Sequence, residues 1–117
     1  MSISAINADA FVSEVLGTGV IWTIRDGGGL PTSTNASGET AMPFWSSEAR
    51  AKKVIATAVA YQDFELITIQ LADFIERWLP GLEGDGLFCG LNWAGAKVTG
   101  YDLKPQEVLA RLNAKPS

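Results

Sequence analysis

Few residues in this chain could do chemistry. It has no histidine and a single cysteine. A serine or cysteine nucleophile activated by histidine is therefore excluded. So are histidine-ligated zinc and the facial iron triad. One thiol cannot build a thiolate zinc cage or hold an iron–sulfur cluster. Carboxylates and lysines remain for acid–base work, but no two carboxylates stand in an apolar, cleft-like context. The local stretch best suited to binding is Met42-Pro43-Phe44-Trp45-Ser46-Ser47-Glu48-Ala49-Arg50-Ala51. An apolar strand ends in Phe44-Trp45, two serines follow, and a helix begins. Trp45 is thus expected beside a helix N-terminus, where backbone amides can hold an anion. Capping alone explains Ser46 and Ser47, and Glu48 in the first turn disfavours an anion there.

The remaining candidates each have an ordinary structural explanation. Asp26-Gly27-Gly28-Gly29 lacks the Gly-Lys-Ser/Thr ending of a phosphate loop and no helix follows it, so it reads as a hairpin turn. Cys89 lies between Phe88 and Leu91 in an apolar run with no basic neighbour, as an inert buried thiol would. Asp63, Glu65, Asp73 and Glu76 fit no calcium-loop spacing and read as solvated faces. Of the four tryptophans, Trp78 falls on the apolar face of a helix, and Trp22 shares a strand face with Val20 and Ile24. Both are expected in the core. Trp45 and Trp93 stand at strand ends, where partial exposure is expected. The candidate binding residues are therefore Trp45, Ser46, Ser47, Trp93 and Trp22. No catalytic residue, metal ligand or cofactor is expected.

These residues have to be positioned by a single domain, since the chain has 117 residues and that length suits one core. A hydrophobic content of 47% and a charged content of 19% are ordinary for a globular fold. The net charge of -4, with nine scattered basic residues, argues against nucleic acid as a partner. No apolar stretch is long enough to cross a bilayer and no signal-peptide pattern opens the sequence, so a cytoplasmic protein is expected. The lone cysteine agrees with that compartment.

Periodicity predicts helices over 4–16, from a Ser46 or Ser47 cap to about Ala60, over 71–79, and over 105–112. Ser4 and Asn7 are both possible caps of the first, and Gly17 is placed as its left-handed C-terminal residue. Pro80-Gly81 is expected to stop the third. Strands are predicted over 20–25, 30–34, 40–45, 64–69, 87–93 and 97–101. Turns fall at 26–29, 35–39 and 94–96. Pro31 pushes its strand to a sheet edge. Pro43 implies an edge, a bulge, or an N–H that points away from a neighbour. The tail 113–117 is expected to be loose. Early hairpins exclude a purely alternating α/β order. The expected class is α+β, with a mostly antiparallel sheet of about five strands and about four helices packed on it.

Several segments, taken together, resemble an uncharacterised bacterial family, the domain of unknown function 2750. They are Phe11-Val12-Ser13-Glu14-Val15, Val20-Ile21-Trp22-Thr23-Ile24, the Pro43-Phe44-Trp45-Ser46-Ser47-Glu48 junction, Phe74 through Leu82, and Leu103 through Leu109. Gln70, where a serine-type cap is expected, and the glycine-rich 26–29 loop depart from the pattern. The resemblance implies a small bacterial α+β protein and brings no activity, cofactor or catalytic residue. Three readings of function follow. The first is a non-enzymatic protein-interaction domain, accessory or immunity-like, acting on another protein or on itself as a homodimer. The second is a small-molecule-binding regulatory domain, which requires a pocket reaching Trp45 and the following helix N-terminus. The third is a histidine-free hydrolase or lyase, which requires a carboxylate or lysine buried beside a cleft.

Overall fold

The computed structural model describes residues 3–58, 61–94 and 99–114. Among them are four helices and six strands in the order α1 (Ile3–Thr18), β1 (Val20–Arg25), β2 (Ser33–Thr34), β3 (Thr40–Phe44), α2 (Glu48–Thr57), β4 (Glu65–Gln70), α3 (71–84), β5 (Phe88–Ala94), β6 (Thr99–Leu103) and α4 (Pro105–Ala114). The α+β class is as expected, but the strands form two sheets. One pairs β1 with β4, and the other runs β2-β3-β5-β6. All neighbours are antiparallel except β3 and β5, which run parallel. The tight turn at Asp26–Gly29 closes on itself through two backbone hydrogen bonds of 3.0 and 3.1 Å. It does not make a β1–β2 hairpin, because β1 takes β4 as its partner. The 35–39 turn does join a hairpin, β2 to β3.

Pro43 explains why the sheet divides. Backbone groups alternate sides along a strand. The bond from the Asn35 amide to the Glu39 carbonyl puts odd-numbered residues of this strand toward the β2 side. Trp45 points the same way and exchanges both backbone bonds with Trp22, at 2.8 Å each. Midway between them, Pro43 has no N–H to offer. Its carbonyl instead accepts the Thr23 hydroxyl at 2.7 Å. The outer edge of β3 therefore changes neighbour at Pro43, from β2 below to β1 above, where the Trp22–Trp45 bridge supplies the backbone pairing. Pro31 also acts as read, since β2 is a two-residue edge strand.

Alternation along the strands divides the buried side chains between two cores. Met42, Phe44, Ile21, Ile69, Cys89 and Leu91 join α1, α3 and α4 in the larger one. Ala41, Trp45, Ile24 and Trp93 join Ala51, Val54 and Ala58 from α2 and its end in the smaller one, with Trp22 half-buried against them. Phe44 meets Phe74 edge-on at 5.0 Å and Trp78 at 5.9 Å, pairs worth about 1 kcal/mol each beyond burial.

Two helix boundaries differ from expectation. Gly17 lies inside α1, and the left-handed residue is Gly19, whose N–H reaches the Val15 carbonyl. Ser4 and Asn7 lie inside the same helix. Pro80 does not stop α3. The helix widens into a π turn at Phe74–Trp78, where the Leu79 N–H bonds back to Phe74. It then continues through Leu79–Gly84 with Pro80 at its start. The widened ladder gives room to a proline ring that would otherwise strike the preceding turn. It also places Leu79, five residues on, deep beside Phe74, and leaves Trp78 half-buried. The predicted residues 59–60, 95–98 and 115–117 lie outside the described residues. Asn113 and Ala114 continue α4.

Two glycines should respond oppositely to a methyl group. A Cβ on Gly90 would overlap the buried Trp93 indole, while one on Gly17 meets nothing. Gly90→Ala is expected to cost about 1–3 kcal/mol as overpacking. Gly17→Ala is expected to add about 0.5–1 kcal/mol through helix propensity. Urea unfolding measures both.

Candidate functional site

The most densely bonded polar cluster gathers where α1, the β3–α2 junction and β5 meet. It is centred on Asn92, a residue not singled out by the sequence. Asn92 is buried, and its φ of 52° is the one left-handed non-glycine angle among the described residues. A β-bulge interrupts the β5–β6 register between Leu91 and Ala94. Asparagine tolerates this conformation better than other side chains with a Cβ. The twist aims its amide across the fold. Its Nδ2 donates to the Asn7 carbonyl at 3.1 Å and to Ser46 Oγ at 3.0 Å. Its Oδ1 accepts the Ser46 backbone N–H at 2.9 Å.

Ser46 Oγ has one proton, and the 2.6 Å bond to Glu14 Oε1 takes it. Glu14 in turn receives Arg50 through Nε at 3.1 Å and Nη2 at 2.9 Å, a two-pronged ion pair. The hydrogen bonds from Arg50 hold the Glu14 carboxyl below the ordinary glutamate range. The Ser46 bond and the Arg50 charge add to this, against the opposing effect of partial burial. Ser47 is the helix cap, its Oγ accepting the Arg50 amide at 3.2 Å. The two serines thus divide the work: Ser47 caps α2 and Ser46 ties β3 to α1 and β5.

The expected exposure of Trp45 and Trp93 is overturned. Trp45 is 0% exposed and Trp93 4%. Each indole has found a partner for its N–H, which lets it sit inside. Trp45 donates to the Trp93 carbonyl and Trp93 to Asp102 Oδ1, both at 2.8 Å. Asp102 Oδ2 faces the Asn35 amide at 3.3 Å. Burial pushes the Asp102 carboxyl above the ordinary aspartate range. The Trp93 and Asn35 bonds oppose that shift, and the Glu39 charge adds to it. Burial, with the Asp102 charge second, pushes the Cys89 thiol up to about 12, so it is protonated and unreactive at neutral pH. Trp22 is half-buried against the smaller core.

Beside the cluster lies a cleft of about 550 Å³ lined by Asn7, Ala49, Arg50, Lys53, Val54, Thr57, Asn92, Trp93 and Ala94. Its size falls in the range of small-molecule sites. It reaches the first turn of α2, as a pocket there should, but the indole in its wall is Trp93 and not Trp45. Lys53 is exposed and has no ion-pair partner among the described residues. No described group of three or more His, Cys, Asp or Glu could hold a metal. No helix of the described residues is long and apolar enough to cross a membrane. Of the five candidate residues, Trp45, Ser46 and Ser47 form the cleft's support, Trp93 its wall, and Trp22 lies across the smaller core.

The family model of a protein of unknown function, DUF2750, matches residues 8–112. The chain belongs to the DUF2750 family. No curated protein and no solved structure gives a significant match. The match spans every residue of the Glu14–Ser46–Arg50–Asn92 cluster and of the cleft except Asn7.

Two measurements probe the cluster. Asn92→Ala is expected to cost about 2–4 kcal/mol, from the orphaned Ser46 amide and the left-handed backbone. Asn92→Gly should cost about 1 kcal/mol less, because glycine adopts that backbone freely. Both are read by urea unfolding. A depressed folded value means that Glu14 stabilises the fold at pH above the ordinary glutamate value, ~4.3. That contribution is lost as pH falls from there through the folded value. Glu14→Gln should therefore be less stable at neutral pH and show a flatter fall of Tm in acid.

Proposed function

We propose that this protein is a non-enzymatic binding domain that takes a small anionic molecule in the cleft between α2 and the end of β5. One observation carries the reading. Arg50 and Lys53 bring two cationic heads to a cleft of ligand size, walled by Val54 and Trp93, in a chain of net charge -4. Glu14 neutralises much of Arg50, so Lys53 supplies the free charge. Arg50, held by two bonds to Glu14, is already oriented and loses little freedom on binding. Asn7 and Thr57 add polar contacts at the rim. The missing histidine and the raised thiol of Cys89 support a site that binds without reacting. The acidic, single-cysteine composition supports a reducing cytoplasm as its compartment.

The protein-interaction reading, accessory or immunity-like, loses its aromatic anchors with Trp45 and Trp93 inside. Ile6, 51% exposed, is the one large exposed apolar residue described.

A thermal-shift screen of phosphate, dicarboxylates and nucleoside monophosphates tests the proposal, followed by titration of the tightest by amide NMR. The expected result is a Tm rise with shifts at Lys53, Thr57 and the Trp93 indole. Lys53→Glu, at an exposed position, should weaken binding about tenfold or more and leave the fold intact. An anionic panel without effect, or affinity unchanged in Lys53→Glu, overturns it.

A further inference from the structure

We propose that the protein self-associates through the outer edge of β4, with two copies of that strand pairing antiparallel. Trp22 directs its backbone groups to Trp45, so Ile21, Thr23 and Arg25 direct theirs to β4. Their register partners are Ile69, Ile67 and Glu65. The amides and carbonyls of Leu66 and Thr68 therefore point away from β1, toward an edge where no described strand pairs with them.

Proteins commonly blunt such an edge with proline, an unpaired charge, a bulge or very short length. β4 has none of these. It is six residues long, its sequence is Glu-Leu-Ile-Thr-Ile-Gln, and its pairing with β1 is unbroken over every position. Its one charge, Glu65, is paired with Arg25 at 2.9 Å on the same sheet. By contrast β2, at the edge of the other sheet, is two residues long and follows Pro31.

The occupant that fits is a second copy. A two-fold axis through Thr68 sets Thr68 against its own copy, Ile67 against Ile69, and Leu66 against Gln70. Glu65 then falls opposite Leu71, so no like charges face each other. The half-buried Leu66 and Ile67 gain cover in that register. The two-stranded sheet becomes four-stranded, past the size at which a pair of strands is marginal. β4 stands at the far side of β1 from β3, while the cleft lies at α2 and β5, so each proposal can fail without the other.

Light scattering on size-exclusion chromatography over a range of concentrations, with hydrogen exchange of the Leu66 and Thr68 amides, tests the pairing. The expected result is a mass of two chains and slow exchange at both amides. Thr68→Pro removes an outward N–H and leaves the β1 ladder intact. It should weaken the dimer about tenfold or more, since symmetry removes the bond twice. Thr68→Lys, which keeps the backbone and sets two cations face to face, gives the same test if the proline variant does not fold. A monomer at every concentration, solvent-rate exchange at both amides, or a dimer of unchanged affinity in Thr68→Lys overturns the proposal.

Discussion

Asn92 holds a left-handed backbone in the interior of a strand, and the relative placement of three elements depends on it. Its side chain reaches a carbonyl of α1 and both the amide and the hydroxyl of Ser46. An aliphatic residue could fill the space but would leave the Ser46 amide buried without an acceptor. Glycine could adopt the angle but would offer no bonds. The position asks for both properties, and among side chains asparagine combines them with least strain. Every buried side-chain nitrogen and oxygen among the described residues has a partner, and around Asn92 that condition is met by one connected network.

The network also determines what the cleft presents. Glu14 draws Arg50 across the first turn of α2, so the guanidinium is held in place by the protein itself. Trp93 is fixed from the other side, through Asp102 and the carbonyl it offers Trp45. The glycine at 90 leaves its indole somewhere to lie. The cleft wall is thus built from groups whose polar ends are already engaged elsewhere, and its free charge comes from the flexible Lys53.

Much of the fold was legible in the residues, because it follows from local rules. Apolar spacing located the four helices and six strands of the described residues, Pro31 marked an edge, and the Ser46-Ser47 pair the start of α2, which the structure gives to Ser47. The division into two sheets was not legible. It depends on which distant strands meet at Pro43, with β2 on one side of it and β1 on the other. The continuation of α3 past Pro80 was hidden for a related reason, since counting by 3.6 residues cannot register a five-residue turn. At the site, the junction Trp45-Ser46-Ser47 was found and its exposure misjudged. Strand ends are usually open, but an indole whose N–H finds a buried acceptor can close one. Asn92 carried one overlooked signal, an asparagine in an otherwise apolar strand, which β-propensity disfavours and a bulge explains. Glu14 and Asp102 gave no signal at all, because their partners lie far away in sequence.

The packing of α1 against β5 and β6 has a consequence for how the chain is made. Ala8, Phe11, Val12 and Val15 are fully buried or nearly so, yet two of the strands packed on this helix follow it by some seventy residues. During translation the apolar face of α1 stays without these two strands until β5 and β6, which follow it in the chain order, have emerged. The parallel pairing of β3 with β5 faces the same delay, since no hairpin can bring those strands together early. A helix made early thus depends for part of its cover on strands made late, and so does the β3–β5 pair.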